Sequence, residues 1–313
     1  MKIVVSLHCV ADELADHPLL ANRPKCLLAV SGVPILEHIL GQMKALLTAG
    51  TELILVGEKH VATTAAWVRG KFPQLTVQAV NASAAVYPLI ACRPLLTEPT
   101  LLVMSDSFVV AEFEALTALE ADAAVLVSDR HAPGRFGGVA ADGEGVVQRP
   151  SMAGLASVGA MWLREPEVSL AAVAQADNTN DFIAQLLQQK KTILAGTVTH
   201  WIDINSISDV KQANRRLLGT GYGTDEALER SYIEEFAVIP PVFLHHDAIV
   251  EASVIGPYAS IGAGAVVRSS VVQNCVIEEN AQVANCILED SFIGRDSQIS
   301  GPITHDQLTY AEQ

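Results

Sequence analysis

Carboxylates at the ends of apolar strands are the first candidates for chemistry in this chain. Residues 100–104 form an apolar run that delivers Ser105 and Asp106 at its carboxyl end, the end at which open α/β sheets bind ligands. Trp201-Ile202-Asp203-Ile204 reads as a second strand ending in polar residues. His8 follows the first apolar run, in a loop that also holds Asp12 and Glu13. His245 and His246 are adjacent, beyond Pro240 and Pro241, and an imidazole there has the acidity of a general base. Plainer readings stand beside each: a loop cap for Asp106, a turn residue for Asp203, a hydrogen-bonded loop histidine for His8 and a solvent-facing pair for His245 and His246. Cys9, Cys26, Cys92, Cys275 and Cys286 have no metal-ligand spacing and read as reduced thiols of a cytoplasmic protein.

Strands alternating with helices must position these groups. Strands are predicted over 2–7, 52–56, 75–80, 100–104 and 123–128, and helices over 34–49, 61–70 and 84–96. This succession predicts an α/β domain with a Rossmann-like, doubly wound, mainly parallel sheet. Further on, Gly137-Gly138-Val139 and Val146-Val147 flank an Asp- and Gly-rich turn. A strand at 158–163, a helix at 182–189, a strand at 201–204 and a Ser-capped helix at 208–218 follow. Gly219-Thr220-Gly221-Tyr222-Gly223 reads as a hinge. Trp67 and Trp162 read as packing residues rather than stacking platforms.

The last quarter changes period. Ile249, Ile255, Ile261, Val267, Val272, Ile277, Val283, Leu288, Ile293 and Ile299 recur about every six positions, and small residues such as Ala259, Ala265, Ala281 and Ser297 follow four places behind. That period fits a hexapeptide β-helix, each aliphatic side chain pointing into a narrow prism and each small residue turning a corner. At three rungs per coil the ten rungs make roughly three coils. Cys275 and Cys286 fit as small rung residues. The expected organisation is an α/β domain over 1–235, a short left-handed parallel β-helix over 236–301 and a tail over 302–313 that caps the open prism.

Composition narrows the function. A net charge of -15 disfavours an electrostatic grip on nucleic acid or anionic membrane, and a phosphorylated ligand would need local cations or a metal. No stretch reaches the ~18 apolar residues of a membrane span, and residues 1–10 are too short and wrongly flanked for a signal peptide.

Several segments carry a family likeness when taken in order. They are Arg23-Pro24-Lys25-Cys26-Leu27-Leu28-Ala29-Val30, Gly32-Val33-Pro34-Ile35-Leu36-Glu37-His38, Leu101-Leu102-Val103-Met104-Ser105-Asp106, Arg135-Phe136-Gly137-Gly138-Val139 and Trp201-Ile202-Asp203-Ile204. With the hexapeptide tail, they resemble the sugar-1-phosphate nucleotidylyltransferases, in particular the long glucose-1-phosphate thymidylyltransferase and mannose-1-phosphate guanylyltransferase relatives. The resemblance implies attack of a hexose-1-phosphate oxygen on the α-phosphorus of a nucleoside triphosphate, with release of pyrophosphate. It also implies that Asp106 and Asp203 hold Mg²⁺ and that Lys25 neutralises phosphate oxygens. Gln78 matches the family's base-reading loop, Gly137 its R-Y-G-V-V segment, Arg149 its sugar-phosphate lysine and Gly159 its sugar-contacting strand.

The chain also departs from that pattern. The family's first loop is of the type G-x-G-T-R; here it is Leu7-His8-Cys9-Val10-Ala11-Asp12-Glu13-Leu14, with no glycine. Side chains obstruct close approach of backbone N–H groups to phosphate, and an acid near the arginine position repels it. Ala82, Ser105, Gln148-Arg149-Pro150 and Ser157 are further departures. Two readings follow: an active, divergent nucleotidylyltransferase using Lys25, Asp106, Arg149 and Asp203, or a catalytically degenerate paralogue retained as a regulatory or scaffold subunit. The β-helix would then serve a homo-oligomer or an assembly with an active paralogue. A third reading, acyl transfer, rests on the hexapeptide tail and the His245–His246 pair.

Overall fold

The computed structural model describes the chain except residues 8–13, 15–22, 132–136, 172, 174, 235, 302–307 and 310–313. The His8 to Glu13 loop, Arg135 and Phe136 therefore lie outside the described residues, as does most of the tail. Two compact units are present. The first gathers the described residues of Met1–Val10, Arg23–Cys26 and Leu36–Asp203; the second gathers those of Ala11–Asn22, Leu27–Ile35 and Ile204–Gln313.

The first unit is built on a nine-stranded, mostly parallel sheet. Lys2–Ser6 is its central parallel strand, paired with Glu52–Gly57 on one side and Thr100–Met104 on the other, and Thr76–Asn81 extends the Glu52–Gly57 side. All five residues of Lys2–Ser6 are buried, as expected of a parallel strand covered on both faces. Leu155–Leu163 runs antiparallel to Thr100–Met104 and carries Ala123–Ser128 on its other edge, with Ile193–Thr197 parallel beyond that. Residues Ala160 to Leu163 pair with Thr100–Met104, while Leu155 and Ala156 continue past its end and take Val139 and Gly138 as partners. The hairpin of Gly138–Ala141 and Val147–Pro150 thus begins where the strand leading to Asp106 stops. One sheet face closes over Val4, Ile54, Leu102, Val125, Met161 and Phe182.

Two of the helices are shorter than the periodicity predicts, while Val61–Lys71, Thr179–Gln188 and Ile207–Leu218 form close to their predicted spans. Ile35–Gln42 ends well before Gly50, and the segment 84–96 forms only Pro88–Ala91 and the 3-10 turn Arg93–Leu95. Pro94 interrupts the latter, since proline removes a helical N–H and its ring clashes with the preceding turn. Thr179–Gln188 is capped by Asn178, whose side chain accepts from Asp181 N at 3.0 Å.

The second unit is a left-handed β-helix with two helices and a small hairpin. Three parallel sheets run along it, two of four strands and one of five. There are four coils rather than about three, because Ala237–Val238 and Val242–Leu244 form strands that the hexapeptide period does not reach. Leu308–Thr309 adds a last strand beside Phe292–Ile293. Nine of the ten predicted rung residues, Ile255 to Ile299, are buried in the prism, with Ala259, Ala265 and Ala281 fully buried behind them. The tenth is corrected: Ile249 is 45% exposed and its neighbour Val250 points inward. Corner residues stitch successive coils: Ser270 N donates to Ser253 Oγ at 3.0 Å, and Cys286 N to Ser270 Oγ at 3.1 Å.

Ile207–Leu218 begins with a capping box, in which Ser206 Oγ accepts from Asp209 N at 3.2 Å and the Asp209 carboxylate accepts from Ser206 N at 2.8 Å. Gly219 to Gly223 is the turn from this helix into Thr224–Ile233, inside the second unit. Ala29–Val30 and Val33–Pro34 form a hairpin whose turn residue Ser31 bonds Asn214 Oδ1 through both N (3.0 Å) and Oγ (3.1 Å).

Candidate functional site

The strand Thr100–Met104 ends in a turn fixed to its neighbour. Ser105 donates to the Ser6 carbonyl with both its backbone N (3.1 Å) and its Oγ (2.8 Å). Two bonds to one acceptor hold the turn at the carboxyl end of the central strand and aim the next residue, Asp106, which is buried. Ser107 then opens the strand Ser107–Val110, antiparallel to His200–Asp203 in a register that sets Ser107 opposite Asp203. Gln42, at the end of Ile35–Gln42, supports this ribbon: its amide nitrogen donates to Val109 O (2.7 Å) and its oxygen accepts from Ala111 N (2.9 Å).

The result is an acid pair assembled from residues 97 positions apart. Ser107 Oγ lies 3.5 Å from Asp106 Oδ1 and 3.5 Å from Asp203 Oδ1, so the two carboxylates are at most twice that distance apart. A hydroxyl has one proton to give, and 3.5 Å is longer than the ~2.5–3.0 Å of a close O–H···O bond. Ser107 is thus a long hydrogen-bonding neighbour of both acids, and three hard oxygen donors come together here. Such a donor set fits Mg²⁺, which is held by one or two carboxylates and completed by water or phosphate oxygens.

No protein-family model matches this chain, and no curated protein matches it.

The geometry places the remaining predicted residues variously. Lys25 is buried in the 3-10 turn Lys25–Leu27, in the same unit as the acid pair. Gly159 lies beside the end of Thr100–Met104: its φ is +77°, and a Cβ there would stand 2.5 Å from Met104 Cγ. This close packing accounts for the glycine without any ligand. Gly137 has φ +72° and would place a Cβ 2.2 Å from Asn180 Oδ1, the atom that accepts from Gly138 N at 3.0 Å. Arg149 is exposed on Val147–Pro150, opposite Ala140. Gln78 is not brought to the acid pair. It pairs with Ile54 in the sheet, and its amide bonds Glu52, which also binds Lys2 at 2.6 Å, both at the amino ends of their strands.

Sequence reasoning missed Ser107, Gln42 and Asn180. Ser107 carried one signal, its adjacency to Asp106; Gln42 and Asn180 are single polar positions on helices, and only the fold reveals their partners. Among the described residues no helix is long and apolar enough to cross a membrane.

Proposed function

We propose that this chain is a sugar-1-phosphate nucleotidylyltransferase-like protein that binds a hexose-1-phosphate with Mg²⁺ at Asp106 and Asp203, its nucleotidyl transfer weakened or lost. The observation that carries the reading is the convergence of Asp106 and Asp203 on Ser107 at the carboxyl end of a doubly wound sheet, the edge at which such sheets bind ligands.

In the full reaction a phosphate oxygen of hexose-1-phosphate attacks the α-phosphorus of a nucleoside triphosphate. The bond to the β-phosphate oxygen breaks, and pyrophosphate leaves with that electron pair. Mg²⁺, when bound, neutralises charge on the phosphate oxygens. The chain supplies position and electrostatics rather than a nucleophile. Asp106 and Asp203 would hold Mg²⁺ and so position the phosphate it neutralises, and Ser107 would donate a hydrogen bond to an acid or phosphate oxygen beside it. Lys25 and Arg149 are the cations assigned to the phosphates in this reading. Weakened transfer follows from the first loop, where Val10, Ala11 and Asp12 replace the residues that would cradle a triphosphate.

A regulatory role beside an active paralogue follows if only the sugar phosphate binds. A homo-oligomer formed through the β-helix is part of the same proposal. It is supported by an aliphatic column on one face, where Val254, Val271 and Ile287 stand in direct register and Val271 and Ile287 are exposed. A cytoplasmic setting suits Cys26, Cys92, Cys275 and Cys286, all free thiols.

The test is isothermal titration of the full chain with glucose-1-phosphate and mannose-1-phosphate, and separately with each common nucleoside triphosphate, all with Mg²⁺. Pyrophosphate release is followed in parallel. Sugar-phosphate binding that vanishes in Asp106→Asn supports the reading, and triphosphate binding with turnover restores the fully active enzyme. No binding of either ligand class overturns it.

A further inference from the structure

The second unit carries metal-ligating side chains that the reading above does not use. His245, His246 and Asp247 lie in the second corner of the first coil of the β-helix, between Val242–Leu244 and Ile249–Glu251. Asp247 Oδ2 lies 3.7 Å from His245 Nδ1 and 3.3 Å from His246 Nε2. The ligand atoms of all three lie within 4.8 Å of one another. Donors ~2.0–2.1 Å from a tetrahedral Zn²⁺ stand about 3.3–3.4 Å apart. Two edges of the coordination figure are therefore near their final length, and the third closes by rotation of His246, whose side chain is 81% exposed.

The backbone beneath these ligands is held from two directions. Ala248 N donates to His245 O at 2.9 Å, closing the turn. Arg230, from the helix Thr224–Ile233, donates to His245 O and to Ala248 O, each at 2.9 Å, and is itself gripped by both oxygens of Glu234 at 3.0 Å. Asp247 N donates to His245 Nδ1 at 3.2 Å, which makes Nδ1 the unprotonated nitrogen; a metal ion would take its lone pair over from this long hydrogen bond. Glu226 and Glu229 line a cavity of about 420 Å³ together with His245 and His246, so further oxygen donors stand at the same cavity.

Comparison with later coils separates this corner from the rest. At the equivalent turns, Asn280 donates to Asp296 at 3.0 Å and Arg295 pairs with Glu279, so polar side chains are consumed between coils. The coil next to the histidines has Gly262-Ala263-Gly264 at that position, which offers no polar side chain. His246 and Asp247 therefore turn to each other.

We propose that this corner binds a borderline transition-metal ion, Zn²⁺ in the first instance, through His245 Nδ1, His246 Nε2 and the Asp247 carboxylate. Water or a cavity carboxylate completes the shell. Two imidazoles and one carboxylate suit Zn²⁺, Ni²⁺ or Cu²⁺ and not Mg²⁺, so the site differs in chemistry from Asp106 and Asp203, which belong to the first unit.

The experiment is calorimetric titration of the metal-stripped full chain with ZnCl₂ in a non-coordinating buffer. The wild type is compared with His246→Ala, Asp247→Asn and Asp106→Asn. The expected result is one site of micromolar or tighter affinity, weakened at least tenfold by His246→Ala and by Asp247→Asn and unchanged by Asp106→Asn. The substituted corner side chains are exposed, and far-ultraviolet circular dichroism verifies that each variant is folded. Millimolar wild-type affinity overturns the proposal. So does Zn²⁺ binding that survives His246→Ala, or that is lost instead in Asp106→Asn.

Discussion

Gly159 packs its backbone directly on the Met104 side chain, with room for hydrogen and none for carbon: an added Cβ would lie 2.5 Å from Met104 Cγ and 2.9 Å from Met104 Cβ. Its φ of +77° adds a second objection to a side chain. Gly159→Ala is expected to cost the ~1–2 kcal/mol of a left-handed conformation plus a steric part. Met104→Ala in the same chain should return only the part due to Met104 Cγ, since the Cβ at 2.9 Å stays. Urea denaturation of the two single variants and the double variant checks this, and strict additivity would contradict it.

The acid pair makes a prediction that needs no substrate. Two carboxylates that each lie 3.5 Å from one hydroxyl are no more than about 7 Å apart, where two charges repel by on the order of 2 kcal/mol at an effective dielectric of 20, before screening. Asp203→Asn should therefore raise the melting temperature in EDTA. The wild type should gain stability on Mg²⁺ addition, and the variant should gain little. Differential scanning fluorimetry across a Mg²⁺ series reads both effects; an equal Mg²⁺ response in the two proteins removes the acids from metal binding.

Inward and outward positions of the β-helix should behave oppositely. Ile277, 1% exposed in the prism, should cost ~2–5 kcal/mol as Ile277→Ala. Ile287→Ser, at a position 58% exposed, should change chain stability by less than about 0.5 kcal/mol yet shift the protein toward the monomer in light scattering. An unchanged mass would remove the aliphatic column from assembly.

Burial raises the Cys92 thiol from its ordinary 9.0 to about 12 and the Cys275 thiol to about 11. Each is held protonated in the folded chain and ionises more readily when unfolded. The stability this contributes is complete below pH ~9 and is lost as pH rises toward the folded values. Denaturation midpoints at pH 8 and pH 10.5 should show a smaller alkaline loss in Cys92→Ala than in the wild type. In the native protein at pH 8 both thiols should resist a thiol reagent that labels them in urea.

How far the sequence could be read differs between the two units for a physical reason. A prism interior admits one kind of side chain at each rung, so Ile255, Ile261, Val267 and their successors announce themselves. Ile249 and Val250 are equally aliphatic neighbours, and only pairing with the next coil decides that Val250 turns inward. In the first unit the apolar strands and the Asp106 turn were legible because buried strands exclude polar residues. Gln78 was not, since its motif resemblance gave no side-chain direction and the sheet aims it at Glu52. Ala29–Val30 and Val33–Pro34 are too short to form a periodic signal, and the supports from Gln42 and Asn180 join residues that no local pattern connects.

The register between coils has a consequence for how this architecture can vary in length. Val254 pairs with Val271, and Val271 with Ile287, so each face repeats itself after a whole coil. Excising residues 271–286 would join Ser270 to Ile287, a residue that already occupies the Val271 position one coil further on. The serine that receives the Cys286 N–H would meet the next coil's equivalent atoms. Stability in such stacks is a sum over neighbouring coils. Whole coils are thus units of insertion and deletion, and a corner absorbs the loss of a single residue, since the step from Val254 to Val271 is 17 residues and that from Val271 to Ile287 is 16 with every later rung still on its face.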